Sequence, residues 1–162
     1  MIDPNIISPL PVEFLRRLDQ LYGNNAEQVL KTFKVPKPTT FRVNTIKLSV
    51  NEVITALNTQ GFETEPIEWY YEAFILRSKT LRELTDTEQY KRGQIYVQNL
   101  SSMIPPLVLA PKPTDKVLDI CAAPGSKATQ LAVIMKNQGR ITANDSSKNR
   151  IYRLEANREK QD

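Results

Sequence analysis

The stretch VLDICAAPGSKATQLA, residues 117–132, constrains the fold more than any other part of this chain. Residues typical of a β-strand lead into a tight turn of small residues, and a helical pattern begins directly after the turn. A second strand, RITAND, and a final helical pattern follow. This β-α-β-α order predicts a parallel sheet with helical crossovers, so the chain is expected to be an α/β protein.

The boundaries within this unit follow from its turn and capping residues. A strand with the apolar character of a buried strand is expected at residues 116–121, and a helix is expected at residues 127–137. Gly139 ends that helix, and Ser146 is expected to cap the last one.

The residues before this unit predict a mixed arrangement of strands and helices. A strand is expected at residues 40–46, followed by a helix that Ser49 caps and by two more strands, one of which Pro66 marks as an edge strand. This order favours a ferredoxin-like or RNA-recognition-like sheet.

Three parts are therefore expected along the chain. Pro11 can begin a first helix, Gly23 can end it, and a second helix is expected at residues 26–33. The predicted division is a helical N-terminal segment at 1–35, a small α+β domain at 36–92 and the first, incomplete part of a Rossmann-like domain at 93–162.

The composition excludes several classes of function. The chain has no histidine, so it cannot contain a Ser-His-Asp triad or a histidine-ligated zinc, and its single cysteine cannot form an internal disulfide. No metal is therefore expected. A net charge of +4 is compatible with a nucleic-acid partner.

The distribution of apolar residues argues against a membrane protein. No apolar run reaches the roughly 18 residues of a membrane span. The opening residues MIDPNIISPLPVEF lack the pattern of a secretory leader, which favours a cytoplasmic location.

The turn has the properties of a site for a ligand that carries a ribose. Ligands of open parallel sheets bind beyond the carboxyl ends of the strands, and small residues let the backbone approach closely. Asp145, at the end of the second strand, is placed to accept both ribose hydroxyls. The G-x-G-x-x-G fingerprint and the Walker pattern are both missing. S-adenosylmethionine fits, because Lys127 and the helix N-terminus would attract its carboxylate.

Each of these residues also has a simpler interpretation. The turn could be any tight strand-to-helix turn, and Asp145 could begin an Asx turn before the last helix. Lys127 and Arg150 could belong to solvated basic surfaces. Asp119 is expected to shape the turn through backbone hydrogen bonds.

These motifs resemble the Sun/Fmu family of S-adenosylmethionine-dependent RNA cytosine-5 methyltransferases. The resemblance rests on VLDICAAPGSKATQLA, on GRITANDSSKNRIYRL and, upstream, on FRVNTIK and GQIYVQNLSS. It implies a truncated Rossmann-like methyltransferase domain preceded by the small α+β domain, with ribosomal or transfer RNA as partner. Ser126 and Ala128 depart from the family pattern, which has glycine and threonine there. The cofactor-binding residues that it implies are Cys121, Ala122, Ala123, Pro124, Gly125, Ser126, Lys127, Asp145 and Arg150.

The resemblance also implies that the catalytic residues are missing from these 162 residues. In that family one cysteine thiolate adds to C6 of cytosine and a second assists product release, in Pro-Cys and Thr-Cys contexts that this sequence lacks. Cys121 belongs to the cofactor turn and is not expected to be the nucleophile. We therefore expect a fragment that is inactive alone and able to self-associate.

Two other functions remain open. The chain could be a non-catalytic RNA-binding or assembly module that keeps the turn as a scaffold. It could also be an S-adenosylmethionine methyltransferase that acts on a different acceptor.

Overall fold

The computed structural model describes residues 10–161. The chain divides after Lys37 into two compact units. Within the described residues, no helix has both the length and the apolar character needed to cross a membrane.

The first unit is a pair of helices. Helix α1 (Val12–Tyr22) and helix α2 (Ala26–Thr32) are joined by a short 3-10 turn. The rings of Phe14 and Phe33 meet edge to face, with their centroids 5.9 Å apart. The expected helical pair is confirmed, and α2 ends one residue earlier than expected.

The second unit begins with a four-stranded antiparallel sheet in the order β2-β3-β1-β4. Helix α3 connects β1 to β2, and helices α4 and α5 connect β3 to β4. This is the βαββαβ arrangement of ferredoxin-like folds, which confirms the sequence-based expectation. The elements are β1 (Thr40–Val43), α3 (Val50–Thr59), β2 (Thr64–Ile67), β3 (Tyr70–Leu76), α4 (Leu81–Asp86), α5 (Glu88–Lys91) and β4 (Ile95–Val97).

Local signals explain most of these boundaries. Ser49 caps α3 as expected, in a capping box with Glu52. Strand β2, which contains Pro66, lies at the edge of the sheet as predicted, because proline cannot donate to a central ladder. Helix α4 was not anticipated, although Thr80 and Glu83 form a second capping box at its start.

Both faces of this sheet pack against helices. One face packs on α3 in an apolar core that includes Phe41, Val53 and Leu57. On the other face, Tyr70 and Ala73 pack against Met103 of helix α6 (Leu100–Leu109). RNA-recognition sheets stack bases on an open face, whereas α6 covers part of that face here.

Strand β4 connects the sheet to the rest of the unit. The sequence-based division placed residues 93–97 in the third domain, whereas in the structure β4 pairs with β1. Helix α6 follows and contains Pro105 and Pro106. Pro106 has no N–H to donate to the carbonyl of Ser102, which instead accepts a hydrogen bond of 3.0 Å from Gln98 Nε2.

The remaining residues form the expected parallel β-α-β-α unit. Strands β5 and β6 pair in parallel, with Val117 opposite Ile141. The elements are β5 (Lys116–Asp119), helix α7 (Ser126–Ile134), β6 (Arg140–Ala143) and helix α8 (Lys148–Gln161).

Three expectations for this unit were wrong in detail. Helix α7 ends at Ile134, three residues before the expected end and five before Gly139. Strand β5 is not buried on both faces, because successive side chains point to opposite faces and Leu118 is 64% exposed. Helix α8 begins at Lys148, two residues beyond the expected cap Ser146.

Candidate functional site

The predicted turn lies where the carboxyl ends of β5 and β6 meet. The N–H of Cys121 donates to Asp119 Oδ1 at 3.2 Å, so Asp119 shapes the turn as expected. The N–H of Ala122 donates to the carbonyl of Asn144 at 2.9 Å, and this bond joins the turn to the end of β6. We call residues 120–125 the loop.

Gly125 directs the loop into helix α7. Its φ of 110° is a conformation that L side chains rarely adopt, so the turn requires glycine at this position. A Cβ atom added to Gly125 would come to 3.1 Å from Leu154 Cδ1. The N-cap residue Gly125 has no side chain, and within residues 10–161 no side-chain oxygen caps the first N–H groups of α7.

The carboxylate of Asp145 is turned toward the protein backbone. Its Oδ2 accepts from the N–H of Ala123 at 3.2 Å, and its Oδ1 accepts from the N–H of Ser147 at 3.1 Å in an Asx-type contact. Arg150 Nη1 lies 3.3 Å from Oδ2. The Asp145 side chain is 2% exposed and that of Arg150 is 52% exposed. Asp145 therefore holds the loop, α8 and Arg150 together.

Three successive carbonyl groups of the loop each accept a hydrogen bond from a side chain. Arg150 Nη2 donates to the carbonyl of Ala123. Asn157 Nδ2 donates to the carbonyl of Pro124 at 2.8 Å, and Thr129 Oγ1 donates to that of Gly125 at 2.7 Å. Residues of α7 and α8 therefore fix the loop backbone.

A buried arginine from the four-stranded sheet reaches this cluster. Arg42 is fully buried, and its Nη2 donates to Thr129 Oγ1 at 2.8 Å while its Nε donates to Gln98 Oε1 at 3.0 Å. Its Nη1 has no hydrogen-bond partner within residues 10–161. Burial lowers the pKa of Arg42 to about 10. The guanidinium lies over the ring of Tyr96, 5.2 Å from the centroid.

Two grooves lie beside helix α7 in the parallel β-α-β-α unit. The smaller one, of about 230 Å³, lies between α6, β5 and α7 and is lined in part by Asp119, Cys121 and Lys127. The larger one, of about 480 Å³, lies between α7, β6 and α8 and contains none of the nine residues predicted from the sequence. No group of metal-binding side chains occurs in the described part of the chain.

Two family models match the chain. The model for the N-terminal domain of 16S rRNA methyltransferase RsmF matches residues 10–100, more than half of the chain, and the model for 16S rRNA methyltransferase RsmB/F matches residues 106–161. The chain belongs to the RsmB/F methyltransferase family.

Curated relatives from distant organisms support this assignment. Ribosomal RNA small subunit methyltransferase F of Vibrio atlanticus is 35% identical over 93% of this chain and 33% of its own length. The tRNA (cytosine(49)-C(5))-methyltransferase of Pyrococcus abyssi is 45% identical over 75% of this chain and 39% of its own length. The chain thus spans less than half the length of these relatives.

A solved structure has the same fold. A methyltransferase homolog protein from Pyrococcus horikoshii superposes with a TM-score of 0.86 and is 35% identical, covering 99% of this chain and 54% of that chain. The family resemblance inferred from the CAAPG motif is therefore confirmed.

In this RsmB/F family member, the cofactor-binding residues that were predicted from the sequence lie together in one cluster. Ala122, Ala123 and Gly125 are buried, whereas Cys121 and Pro124 are exposed. Ser126 and Lys127 are partly exposed in the first turn of α7, and Arg150 joins the loop to Asp145.

Sequence reasoning missed the side chains that hold the loop from behind. Thr129 follows Gly125 by four residues, so helical spacing could have placed its hydroxyl near that carbonyl. Asn157 and Arg42 gave no local signal, because their contacts to the loop and to Thr129 span 33 and 87 residues.

Proposed function

We propose that this chain is the amino-terminal and cofactor-binding part of an RNA cytosine-5 methyltransferase, with S-adenosylmethionine as its cofactor and ribosomal or transfer RNA as its substrate. The observation that carries the proposal is the loop, which joins the carboxyl ends of two parallel strands. The names of the family's relatives, which are rRNA and tRNA methyltransferases, support the choice of substrate. A cytoplasmic location accompanies this proposal.

The residues at the loop fit this cofactor chemically. The uncapped N–H groups of α7, together with Lys127, suit a carboxylate. The small residues Ala122, Ala123 and Gly125 let the loop pack closely against Leu154 of α8, which fixes the loop beside the proposed site. Asp145 is the acceptor proposed for the ribose hydroxyls.

Ribose binding by Asp145 requires one rearrangement. The carboxylate is almost fully buried, and Arg150 lies over one of its oxygens. We propose that the half-exposed Arg150 side chain moves aside, which exposes Oδ2 while the bond between Oδ1 and Ser147 stays in place.

The cofactor would supply an electrophilic methyl group for C5 of cytosine. This chain's contribution is to bind and orient it through the loop, Lys127 and Asp145. We propose that these 162 residues do not turn over alone, because the mechanism implied by the family resemblance uses two cysteines and the chain has only Cys121.

A thermal-shift titration tests cofactor binding. A true site raises the melting temperature with the logarithm of ligand excess, and a hundredfold excess over Kd stabilises by about 2.7 kcal/mol. S-adenosylmethionine and S-adenosylhomocysteine should both act, whereas ATP and NAD should not. No shift with millimolar S-adenosylmethionine would favour the alternative of a non-catalytic RNA-binding module that keeps the loop as a scaffold.

A measurement of RNA binding distinguishes the proposed RNA methyltransferase from the remaining alternative. Affinity for ribosomal or transfer RNA that falls steeply with salt supports the RNA methyltransferase. Cofactor binding without RNA affinity would favour a methyltransferase with a different acceptor.

We also propose that the chain self-associates through strand β5. Leu118 lies on the uncovered face of β5 and Ile120 directly follows the strand; they are 64% and 65% exposed. Strands β5 and β6 form a sheet of only two strands within the described residues, which leaves the outer edge of β5 unpaired. Apolar side chains beside an open strand edge favour contact with another chain.

A further inference from the structure

The four-stranded sheet is connected to the loop by two chains of hydrogen bonds. In the first, Arg42 donates to Thr129 Oγ1, and Thr129 donates to the carbonyl of Gly125. In the second, Asn157 Nδ2 donates to the carbonyl of Pro124 and lies 3.4 Å from the hydroxyl oxygen of Tyr96. Arg42 and Tyr96 belong to the neighbouring strands β1 and β4.

We propose that Arg42 is a positioning residue for the cofactor loop, acting through the hydroxyl of Thr129, with Tyr96 and Asn157 as a second support. This inference rests on the proposed function, because the loop is the proposed cofactor site. It gives the α+β part of the chain a role in cofactor binding.

The direction of the first chain follows from the chemistry of its groups. A guanidinium can only donate, so the Thr129 hydroxyl must accept from Arg42. The single proton of that hydroxyl is then directed to the carbonyl of Gly125. Without Arg42 the hydroxyl could turn toward the carbonyl of Ser126, which lies 3.5 Å away, so Arg42 favours the bond to Gly125.

The carbonyl of Gly125 in turn orients the first turn of α7. It accepts from both the hydroxyl and the backbone N–H of Thr129, at 2.7 and 2.9 Å. Because the peptide is planar, fixing this carbonyl also fixes the N–H of Ser126 on the opposite side. That N–H is one of the uncapped donors proposed to face the cofactor.

Stability alone does not explain the Arg42 side chain. The hydrogen-bond partners of its guanidinium are neutral oxygens, and Nη1 is unpaired within the described residues. Glu72 acts on this charge electrostatically, but no carboxylate within the described residues forms an ion pair with it. A buried charge of this kind is costly, and an apolar side chain of similar volume is often equally stable or more stable. A role in orienting Thr129 gives a reason for an arginine at this position.

Paired variants of Thr129 separate positioning from packing. Thr129→Val removes the hydroxyl and keeps the shape, whereas Thr129→Ser keeps the hydroxyl. We expect Thr129→Val to weaken S-adenosylmethionine binding roughly tenfold by calorimetry, the scale of one lost buried hydrogen bond, and Thr129→Ser to stay within about threefold of the parent chain. Thr55→Val, at an exposed position of α3, is the matched control.

Hydrogen exchange of residues 119–128 gives a readout that needs no ligand. Exchange in this segment should be faster in Thr129→Val and Arg42→Met than in the parent chain and in Thr129→Ser. The inference would be overturned if Thr129→Val and Thr129→Ser had the same exchange rates and the same affinity for S-adenosylmethionine. This holds whether both variants match the parent chain or both lose affinity equally.

The two proposals fail in different ways. If the parent chain does not bind S-adenosylmethionine, the proposed function fails, and the exchange rates alone decide whether Arg42 and Thr129 position the loop. If the parent chain binds and Thr129→Val binds equally well, the proposed function stands and the positioning role is rejected.

Discussion

Gly93, just before β4, lies against the backbone of Lys160 near the end of α8. A Cβ atom added to Gly93 would come to 1.9 Å from the carbonyl oxygen of Lys160. Asn44 and Lys47 reinforce this contact, because Asn44 Nδ2 donates to the carbonyls of Gly93 and Gln161, and Lys47 Nζ donates to that of Lys160 at 2.8 Å. The FRVNTIK segment thus holds the end of α8 as well as Thr129 of α7.

Gly93→Ala should therefore be strongly destabilising. The φ of 67° costs an alanine about 1–2 kcal/mol, and the clash with Lys160 adds to that cost because backbone atoms cannot move aside easily. Gly61→Ala is the control, since its φ is 79° but the nearest atom to its added Cβ is at 3.6 Å. Urea denaturation should show a clearly larger loss for Gly93→Ala; equal losses would mean that the close contact is absent in solution.

The single cysteine should report on the occupancy of the loop. Cys121 is exposed in the structure, so a maleimide should label it readily. Saturating S-adenosylmethionine should slow labelling at least several-fold, because a ligand bound at the loop covers the thiol. ATP at the same concentration should have no effect. An unchanged rate under conditions where calorimetry detects binding would place the ligand elsewhere.

Asp145→Asn should affect both stability and cofactor binding. An amide group at Oδ2 would face two donors, the N–H of Ala123 and the guanidinium of Arg150, and leaving the buried N–H of Ala123 unsatisfied costs about 1–3 kcal/mol. The thermal shift with S-adenosylmethionine should also disappear. Asp115→Asn, in an exposed turn, is the control. A full thermal shift in Asp145→Asn would contradict the proposed ribose contact.

Acid should weaken the chain partly through its two capping boxes. The hydroxyl and N–H of Ser49 lower the pKa of Glu52, and the N–H and hydroxyl of Thr80 lower the pKa of Glu83. Since both values are depressed in the folded chain, this stabilisation is complete above the ordinary value of 4.5 and is lost as the pH falls through the folded values.

Replacing both glutamates by glutamine tests this linkage. Glutamine retains the capping geometry but does not titrate. Between pH 7 and pH 3, the melting temperature of the double variant Glu52→Gln and Glu83→Gln should fall less than that of the parent chain. Glu63→Gln, outside the boxes, serves as the control. Parallel melting curves for parent and double variant would exclude a contribution from the boxes.

Self-association should depend on the uncovered face of β5. Leu118→Lys places a charge on that face and should shift a concentration-dependent sedimentation profile toward monomer, with little change in unfolding because Leu118 is already exposed. Leu81→Lys, at an exposed leucine of α4, should leave the profile unchanged. A parent chain that stays monomeric at all concentrations would contradict the proposal.

Much of the fold was predictable because its signals are local. The strand-turn-helix pattern around Gly125 predicted the parallel pair β5 and β6, and Ser49 predicted the start of α3. Pro66 predicted the edge strand β2. Helices α4 and α5 were missed because they are only 6 and 4 residues long, too short for a periodic pattern.

The sequence alone determined the order of the longer elements, the position of the loop and the family, because each depends on neighbouring residues. Only the tertiary structure decided that β4 completes the first sheet, that Asp145 faces the loop backbone and that Arg42 reaches Thr129. The physical reason is that two of these contacts join residues 22 and 87 positions apart in the sequence, and the third joins two strands. Their geometry depends on how the whole second unit packs.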